Sequence, residues 1–302
     1  MNQNFNMTSS FSSGETSTKE AVYIIIPVYN RKATTLKCLQ HLQNCGNLQQ
    51  YHIVVIDDGS TDGTAEAISN SYPEVEILDG NGDLWWTGAM AKGMKYAYNR
   101  GAEYFIWLND DCLPATNTIE KMVEFMGLNP NTLVAPSCYA DSDSRQIQHN
   151  GFQGRQGCAA KPGEVIEVDG MSGWCVGIPA TVYEKIGAPD ARKFPHYSGD
   201  DIYTLQATKA GFQACLIGDL RANLVGGVHE NLKIQDYFKP GLTPVDTFKA
   251  LFLNKKSPYR LATRFFVFIE RYGTFIGILI FINRLFIWQV QWLRMQLKLQ
   301  LS

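Results

Sequence analysis

Apolar runs alternate with helically spaced apolar positions through the first half of the chain. Val22 to Ile26 is an unbroken run rich in β-branched residues, as a strand buried on both faces requires. After Asn30, Leu36, Leu39 and Leu42 share one helical face, and Gly46 ends the pattern. Ile53 to Ile56 repeats the strand signal, Asp62 to Ile68 suits a short helix, and Val75 to Leu78 suits a third strand. Thr87 is placed to cap a helix carrying Met90, Met94 and Ala97. The strand Tyr104 to Leu108 follows, then a helix with Ile119, Met122, Val123 and Met126. The order βαβαβαβα predicts an α/β fold with a mostly parallel, Rossmann-like sheet covered by helices on both faces.

From Pro136 to Gly170 the pattern is irregular and polar, as in an excursion of loops and short strands. Regular signals return with a strand over Gly173 to Ile178, helices over Ala180 to Ile186 and Asp201 to Lys209, and a strand over Gln213 to Ile217. The first 20 residues, rich in Asn, Ser and Thr and without the apolar core of a signal peptide, read as a disordered tail. From Tyr259 to Leu301 the chain is dense in Phe, Ile, Leu and Trp, punctuated by Arg260, Arg264, Arg271, Arg284, Arg294 and Lys298. Its longest uncharged run, Tyr272 to Asn283, falls short of the roughly 20 apolar residues that span a bilayer. An interfacial helix pair on a membrane surface fits this composition, and so do helices that cap the core or join a homodimer.

A length of 302 residues with 45% hydrophobic content can form one large α/β domain or two small ones, which excludes wholesale disorder. A net charge of -2 supplies no basic face, so nucleic acid is excluded as a partner class. The seven cysteines form no C-x-x-C pair and are odd in number, which fits free thiols in a reducing, cytoplasmic compartment, peripheral to a membrane if the last helices bind lipid.

Parallel sheets bind ligands beyond the carboxyl ends of their strands, so the chemistry belongs to Pro27–Arg31, Asp57–Ser60, Gly80–Asp83 and Asn109–Asp111. Asp110 and Asp111, crowded at the end of a buried strand, repel each other and lose hydration, which calls for a cation. Hard oxygen ligands suit Mg²⁺ or Mn²⁺ shared with substrate phosphates; a helix N-cap ahead of Pro114 is the bland alternative. Asp57 and Asp58 can accept hydrogen bonds from a ribose or a base N–H, although D-D-G-S is also an ordinary turn.

In order, Ile24-Ile25-Ile26-Pro27-Val28-Tyr29-Asn30-Arg31, then Val54-Val55-Ile56-Asp57-Asp58-Gly59-Ser60, then Asn109-Asp110-Asp111, resemble the opening of family 2 glycosyltransferases over roughly residues 21 to 235. The resemblance implies a GT-A fold with a nucleotide-sugar half (21–135), an acceptor half (136–235) and a separate C-terminal helical segment (236–302). It implies that Pro27, Tyr29, Asn30 and Arg31 line the nucleotide pocket, with Asp57 toward the base and Asp58 beside it. Asn109 stands where the family commonly has the first Asp of its D-x-D motif, Asp110 faces the ribose, and Asp111 is the chief metal ligand, completed by the late His229. Gly80 to Ala89, including Gly82, Asp83, Trp86 and Gly88, is similar to the donor loop of bacterial rhamnosyltransferase-like members; Trp85 and Trp174 fall near the acceptor, where a tryptophan can also simply pack. Asp201 matches the position of the catalytic base, with Asp200 in place of the more frequent Glu as the alternative. The activity implied is inverting transfer from a nucleotide-diphosphate-sugar to a hydroxyl of a glycan or lipid-linked acceptor in cell-surface polysaccharide synthesis. A sugar-nucleotide nucleotidyltransferase would instead carry a basic glycine-rich loop after strand one, and an inactive binding protein would not retain Asp58, Asp111, Asp201 and His229 together.

Overall fold

The structure, a computed structural model, describes residues 19–140, 143–226, 233–238 and 241–301. Most of the tail expected at 1–20 therefore lies outside the described residues, as does His229. The first half alternates as its sequence pattern dictates: β1 (Val22–Val28), α1 (Lys32–Asn44), α2 (Asn47–Gln50), β2 (His52–Asp57), α3 (Thr64–Ser71), β3 (Glu76–Asp79), α4 (Trp85–Tyr98), β4 (Tyr104–Leu108), β5 (Cys112–Pro114) and α5 (Thr118–Leu128). The second half contains β6 (Thr132–Ala140), β7 (Asp143–Ile147), β8 (Gly151–Gln153), β9 (Gln156–Cys158), β10 (Val165–Glu167), β11 (Gly170–Met171), β12 (Cys175–Pro179), α6 (Ala180–Ile186), α7 (Gly199–Lys209) and β13 (Gln213–Leu224). A short α8 (Pro244–Phe248) continues as a π turn to Leu253, ahead of α9 (Leu261–Tyr272) and α10 (Thr274–Leu301).

One sheet runs β10-β13-β6-β12-β4-β1-β2-β3, with β5 and β7 attached to β13 and β6. Strands β3, β2, β1 and β4 are parallel, β12 is antiparallel to β4, and β6 and β13 run parallel to each other. The continuous apolar runs arise because both faces are covered. Ile24, Ile26, Ile53, Val55, Ile106 and Leu108 enter one core with α1 and α5. Their neighbours Tyr23, Ile25, Val54, Ile56, Phe105 and Trp107 enter the other with α4 and α7.

Three elements differ from the sequence pattern, each for a local reason. Thr87 does not cap α4; the helix starts at Trp85, and Thr87 is buried inside it, its N–H donating to the Pro195 carbonyl at 3.1 Å. The stretch after Pro136 is no excursion at first, since β6 runs on to Ala140 with every position buried. Proline cannot donate to a ladder, and the register of β13 breaks between Ile217 and Arg221, directly opposite Pro136. That bulge also carries β13 well beyond Ile217. At the C-terminus, α10 extends past the uncharged run, and Thr274–Leu297 is long and apolar enough to cross a membrane by length and composition, with 11% of its apolar window buried.

Candidate active site

Parallel register sets Val28 beside Asp57 and Asp57 beside Asp79, so β1, β2 and β3 end level. At that edge lies a cavity of ≈ 380 Å³ lined by Pro27, Val28, Tyr29, Arg31, Asp58, Gly82, Trp85, Trp86, Ala89, Asn109, Asp110, Asp111, His196 and Lys256. Residues far apart in sequence therefore meet as the strand ends require.

Asp58 is buried and organises the loop after β3. Its Oδ1 accepts the N–H groups of Gly82 at 2.9 Å and Leu84 at 3.1 Å, and its Oδ2 accepts that of Trp85 at 2.9 Å. The loop approaches so closely that a Cβ on Gly80 would lie 2.5 Å from Asp58 Oδ1. Trp85 is held at φ 57°, a left-handed conformation that costs a non-glycine residue about 1–2 kcal/mol. Its indole Nε1–H donates to Asp83 at 2.9 Å, and Lys255 ion-pairs with Asp83 at 2.5 Å, so the loop is tied to the segment before α9.

The acidic pair after β4 is not a helix cap, since α5 begins only at Thr118. Arg31 lies across both carboxylates, with Nε 3.0 Å from Asp110 and Nη2 2.8 Å from Asp111. Thr35 Oγ1 donates to Asp110 at 2.9 Å. Burial pushes the Asp110 carboxyl up to about 6 against the opposing Arg31 charge. The guanidinium thus marks a place that draws a cation. Asp111 offers hard oxygen at the cavity wall, whereas Asn109 Oδ1 already accepts Trp86 Nε1–H at 2.8 Å. Among the described residues no group of three or more His, Cys, Asp or Glu side chains could hold a metal by itself. The donor set fits a Mg²⁺ or Mn²⁺ ion that takes the rest of its coordination from phosphates and water.

Beyond Trp86 stands the start of α7. A Cβ on Gly173 would overlap the Trp86 ring and lie 2.9 Å from Asp200 Cβ, so the indole, the glycine and Asp200 pack in direct succession. Asp200 Oδ2 accepts the Gly173 N–H at 2.7 Å, and burial together with the Asp201 charge pushes its carboxyl up to about 6. Asp201 points the other way, to Arg271 of α9, at 2.6 Å. Asp200 borders the cavity through Trp86, and neither it nor Asp201 lines it.

Other expected site residues fall just behind the cavity wall. Asp57 caps its own turn by accepting the Ser60 N–H at 2.8 Å, and Asn30 joins that loop by accepting the Thr61 N–H at 2.7 Å. Gly88 packs inside α4 against Leu84 and Ala191. Trp174 leans on the apolar core while its carbonyl accepts the Asn109 N–H at 2.9 Å. Sequence reasoning missed His196, Lys256 and Arg271. His196 meets Trp85 edge-on at 5.6 Å, and burial pushes its imidazole down to about 4, which keeps it neutral at pH 7. The paired lysines 255 and 256 were the available signal for the basic rim.

Residues 23–174 match the family model described as Glycosyl transferase family 2. A glycosyltransferase AglE of Haloferax volcanii is 32% identical over 112 residues, 36% of each chain. A dolichol-phosphate mannosyltransferase of Pyrococcus furiosus is 28% identical over 106 residues, 34% of this chain and 29% of the relative. The matched stretches thus span about a third of these curated relatives. Among solved structures, GalNAc-T7 with UDP, GalNAc and Mn²⁺ superposes with a TM-score of 0.57 at 13% identity over 82% of this chain and 50% of that one. The mannosyltransferase PcManGT of Pyrobaculum calidifontis, in complex with GDP-Man and Mn²⁺, superposes with a TM-score of 0.54 at 16% identity over 74% and 61%. At such identities the likeness is one of fold, and the fold is GT-A.

Proposed function

The chain belongs to glycosyl transferase family 2, and from that premise we propose that it is an inverting, metal-dependent transferase of a sugar from a nucleotide-diphosphate-sugar to an acceptor hydroxyl. The observation that carries this reading is the convergence of Asp58, Asn109, Asp110 and Asp111 with Tyr29, Arg31, Trp85 and Trp86 on one cavity. Proteins of the same fold are solved with UDP or GDP-Man together with Mn²⁺.

In this mechanism the loop held by Asp58 and the ring of Tyr29 enclose the nucleotide, and Arg31 and Lys256 bring positive charge to the diphosphate side of the cavity. Asp111 and His229 would be the residues to hold a divalent cation, Mn²⁺ or Mg²⁺, which would supply positive charge to the departing diphosphate. Trp86 separates this compartment from the α7 carboxylates. The Asp200–Asp201 pair removes the proton from the acceptor hydroxyl as its oxygen bonds the anomeric carbon and the bond to the diphosphate breaks on the opposite face, which inverts the centre. Asp201 is the first candidate for the base by family position, and Asp200 is the packed partner that fixes the start of α7 against Gly173.

The acceptor is a glycan or a lipid-linked glycan of cell-surface polysaccharide synthesis, reached from the cytoplasmic side. One face of α10 packs through Trp288 on Leu251 and Phe252, while Phe275, Ile276, Leu279, Ile282 and Phe286 stay exposed. A helix with one face on protein and one face apolar suits lying on a membrane. The test combines thermal-shift screening of nucleotide sugars with and without Mn²⁺ and product analysis. Release of free nucleoside diphosphate supports transfer, and release of pyrophosphate rejects it. Asp201→Asn is expected to lower turnover by about 10² to 10⁴ with donor binding retained; unchanged turnover moves the base to Asp200.

A further inference from the structure

Arg264 and Arg271 fall within about 20° of one another around α9, at the 100° per residue of an α-helix, on the side that meets α7. The Arg271 guanidinium carbon sits 4.2 Å above the Phe152 ring, its Nη2 reaches Asp201, and its Nε is buried without a partner. Arg264, half-buried, donates through Nε to the Pro258 carbonyl, and among the described residues it has no ion pair. Burial pulls the Arg264 guanidinium below its ordinary value, with Asp201 opposing. Two half-buried guanidiniums thus share one carboxylate, which leaves one positive charge uncompensated where desolvation makes it costly.

We propose that Arg264 and Arg271 form an anion subsite that takes the phosphate of a lipid-linked acceptor beside the α7 carboxylates; this deepens, and rests on, the transferase reading. Guanidinium groups bind phosphate through paired N–H donors, for which a neutral glycan has no counterpart. The hydrocarbon end has a neighbour as well. Helix α10 begins two residues after α9 and exposes Phe275, Ile276 and Leu279. From Thr247 to the C-terminus the only acid is Glu270, against nine Lys and Arg side chains. A molecule with an anionic head and an apolar tail satisfies both surfaces at once. Its phosphate competes with Asp201 for the Arg271 N–H groups, so acceptor binding and release of that carboxylate are a single event.

The test uses the full chain in detergent micelles, with tryptophan fluorescence titrations of geranylgeranyl diphosphate, geranylgeraniol and inorganic pyrophosphate. Geranylgeranyl diphosphate is expected to bind at least tenfold tighter than either of the others, and Arg264→Gln and Arg271→Gln are each expected to weaken it about tenfold. Arg264→Gln leaves the Arg271–Asp201 pair in place, so a loss in that variant is not a consequence of breaking it. Equal binding of geranylgeraniol, or wild-type affinity in both variants, overturns the subsite. Pyrophosphate binding as tightly as the lipid through the same arginines overturns the lipid assignment in favour of free phosphate. Nucleotide-induced thermal shifts with Mn²⁺ separate the two readings. If no nucleotide shifts the wild type, the transferase reading falls and takes the acceptor assignment with it. If the shifts persist and only lipid discrimination fails, the subsite alone is wrong.

Discussion

Replacing Asp58 by Asn changes one oxygen into an amide and tests whether this carboxylate builds the donor loop. Oδ1 serves Gly82 and Leu84 and Oδ2 serves Trp85, so an Asn that keeps its carbonyl toward the first two aims an NH₂ at the third. One charge-assisted bond is lost and one N–H is left facing a donor, at about 2–4 kcal/mol. Releasing Trp85 from φ 57° returns about 1 kcal/mol. The net cost is about 1–3 kcal/mol, or roughly 5- to 150-fold in affinity. Because the loss is confined to one loop, it should appear in nucleotide binding rather than in global unfolding. Isothermal titration of the nucleoside diphosphate that gives the largest Mn²⁺-dependent thermal shift measures the affinity, and hydrogen exchange at the Trp85 amide reports the opening. A dissociation constant within twofold of wild type, with Trp85 exchange unchanged, would refute the reasoning.

Asp200 titrates near 6 in the folded chain, above the ordinary carboxylate value near 4, so ionising it weakens the fold as pH rises from about 4 to about 6. Asp200→Asn should therefore gain stability relative to wild type across that span in chemical denaturation, and a constant difference would contradict the shift. Turnover should climb through pH of about 6 as Asp200 loses its proton, and a flat pH–rate profile from 5 to 7 would argue against a part for Asp200 in the proton transfer. Gly173→Ala sets a methyl group against Trp86 and Asp200, with an overpacking cost of about 1–3 kcal/mol; turnover should fall at least tenfold, and wild-type activity would mean the contact has no catalytic role. Leu279→Glu combined with Ile282→Glu, at positions 54% and 57% exposed, should abolish flotation with anionic phosphatidylglycerol vesicles; undiminished flotation would remove α10 from the membrane.

The strands β1 to β4 were readable because burial on both faces leaves an unbroken apolar signature, and their ends pointed to Asp58, Asp110 and Asp111 without any contact information. The pattern failed where tertiary partners outweigh local chemistry. Pro136 and Ser137 look like loop residues, yet a bulge in a strand some 80 positions away accommodates the missing N–H. Thr87 has the chemistry of a cap, but Asp58 takes over the first free amides of α4 from outside the helix. Arg271, His196 and Lys256 carry no local motif; they reach the site only because α9 and the loops around it fold back on the sheet.

Strand β12 comes from the second half of the sequence and pairs with β4 along Tyr104–Leu108, in the middle of the sheet. A fragment ended at residue 135 would therefore keep β1 to β4, beyond whose ends the cavity lies, and still bare the full flank of β4, an apolar ribbon of unpaired amides and carbonyls. Such a flank recruits copies of itself. Separately produced halves should precipitate instead of reconstituting by mixing, whereas co-translation as one polypeptide closes the seam before it can be misused.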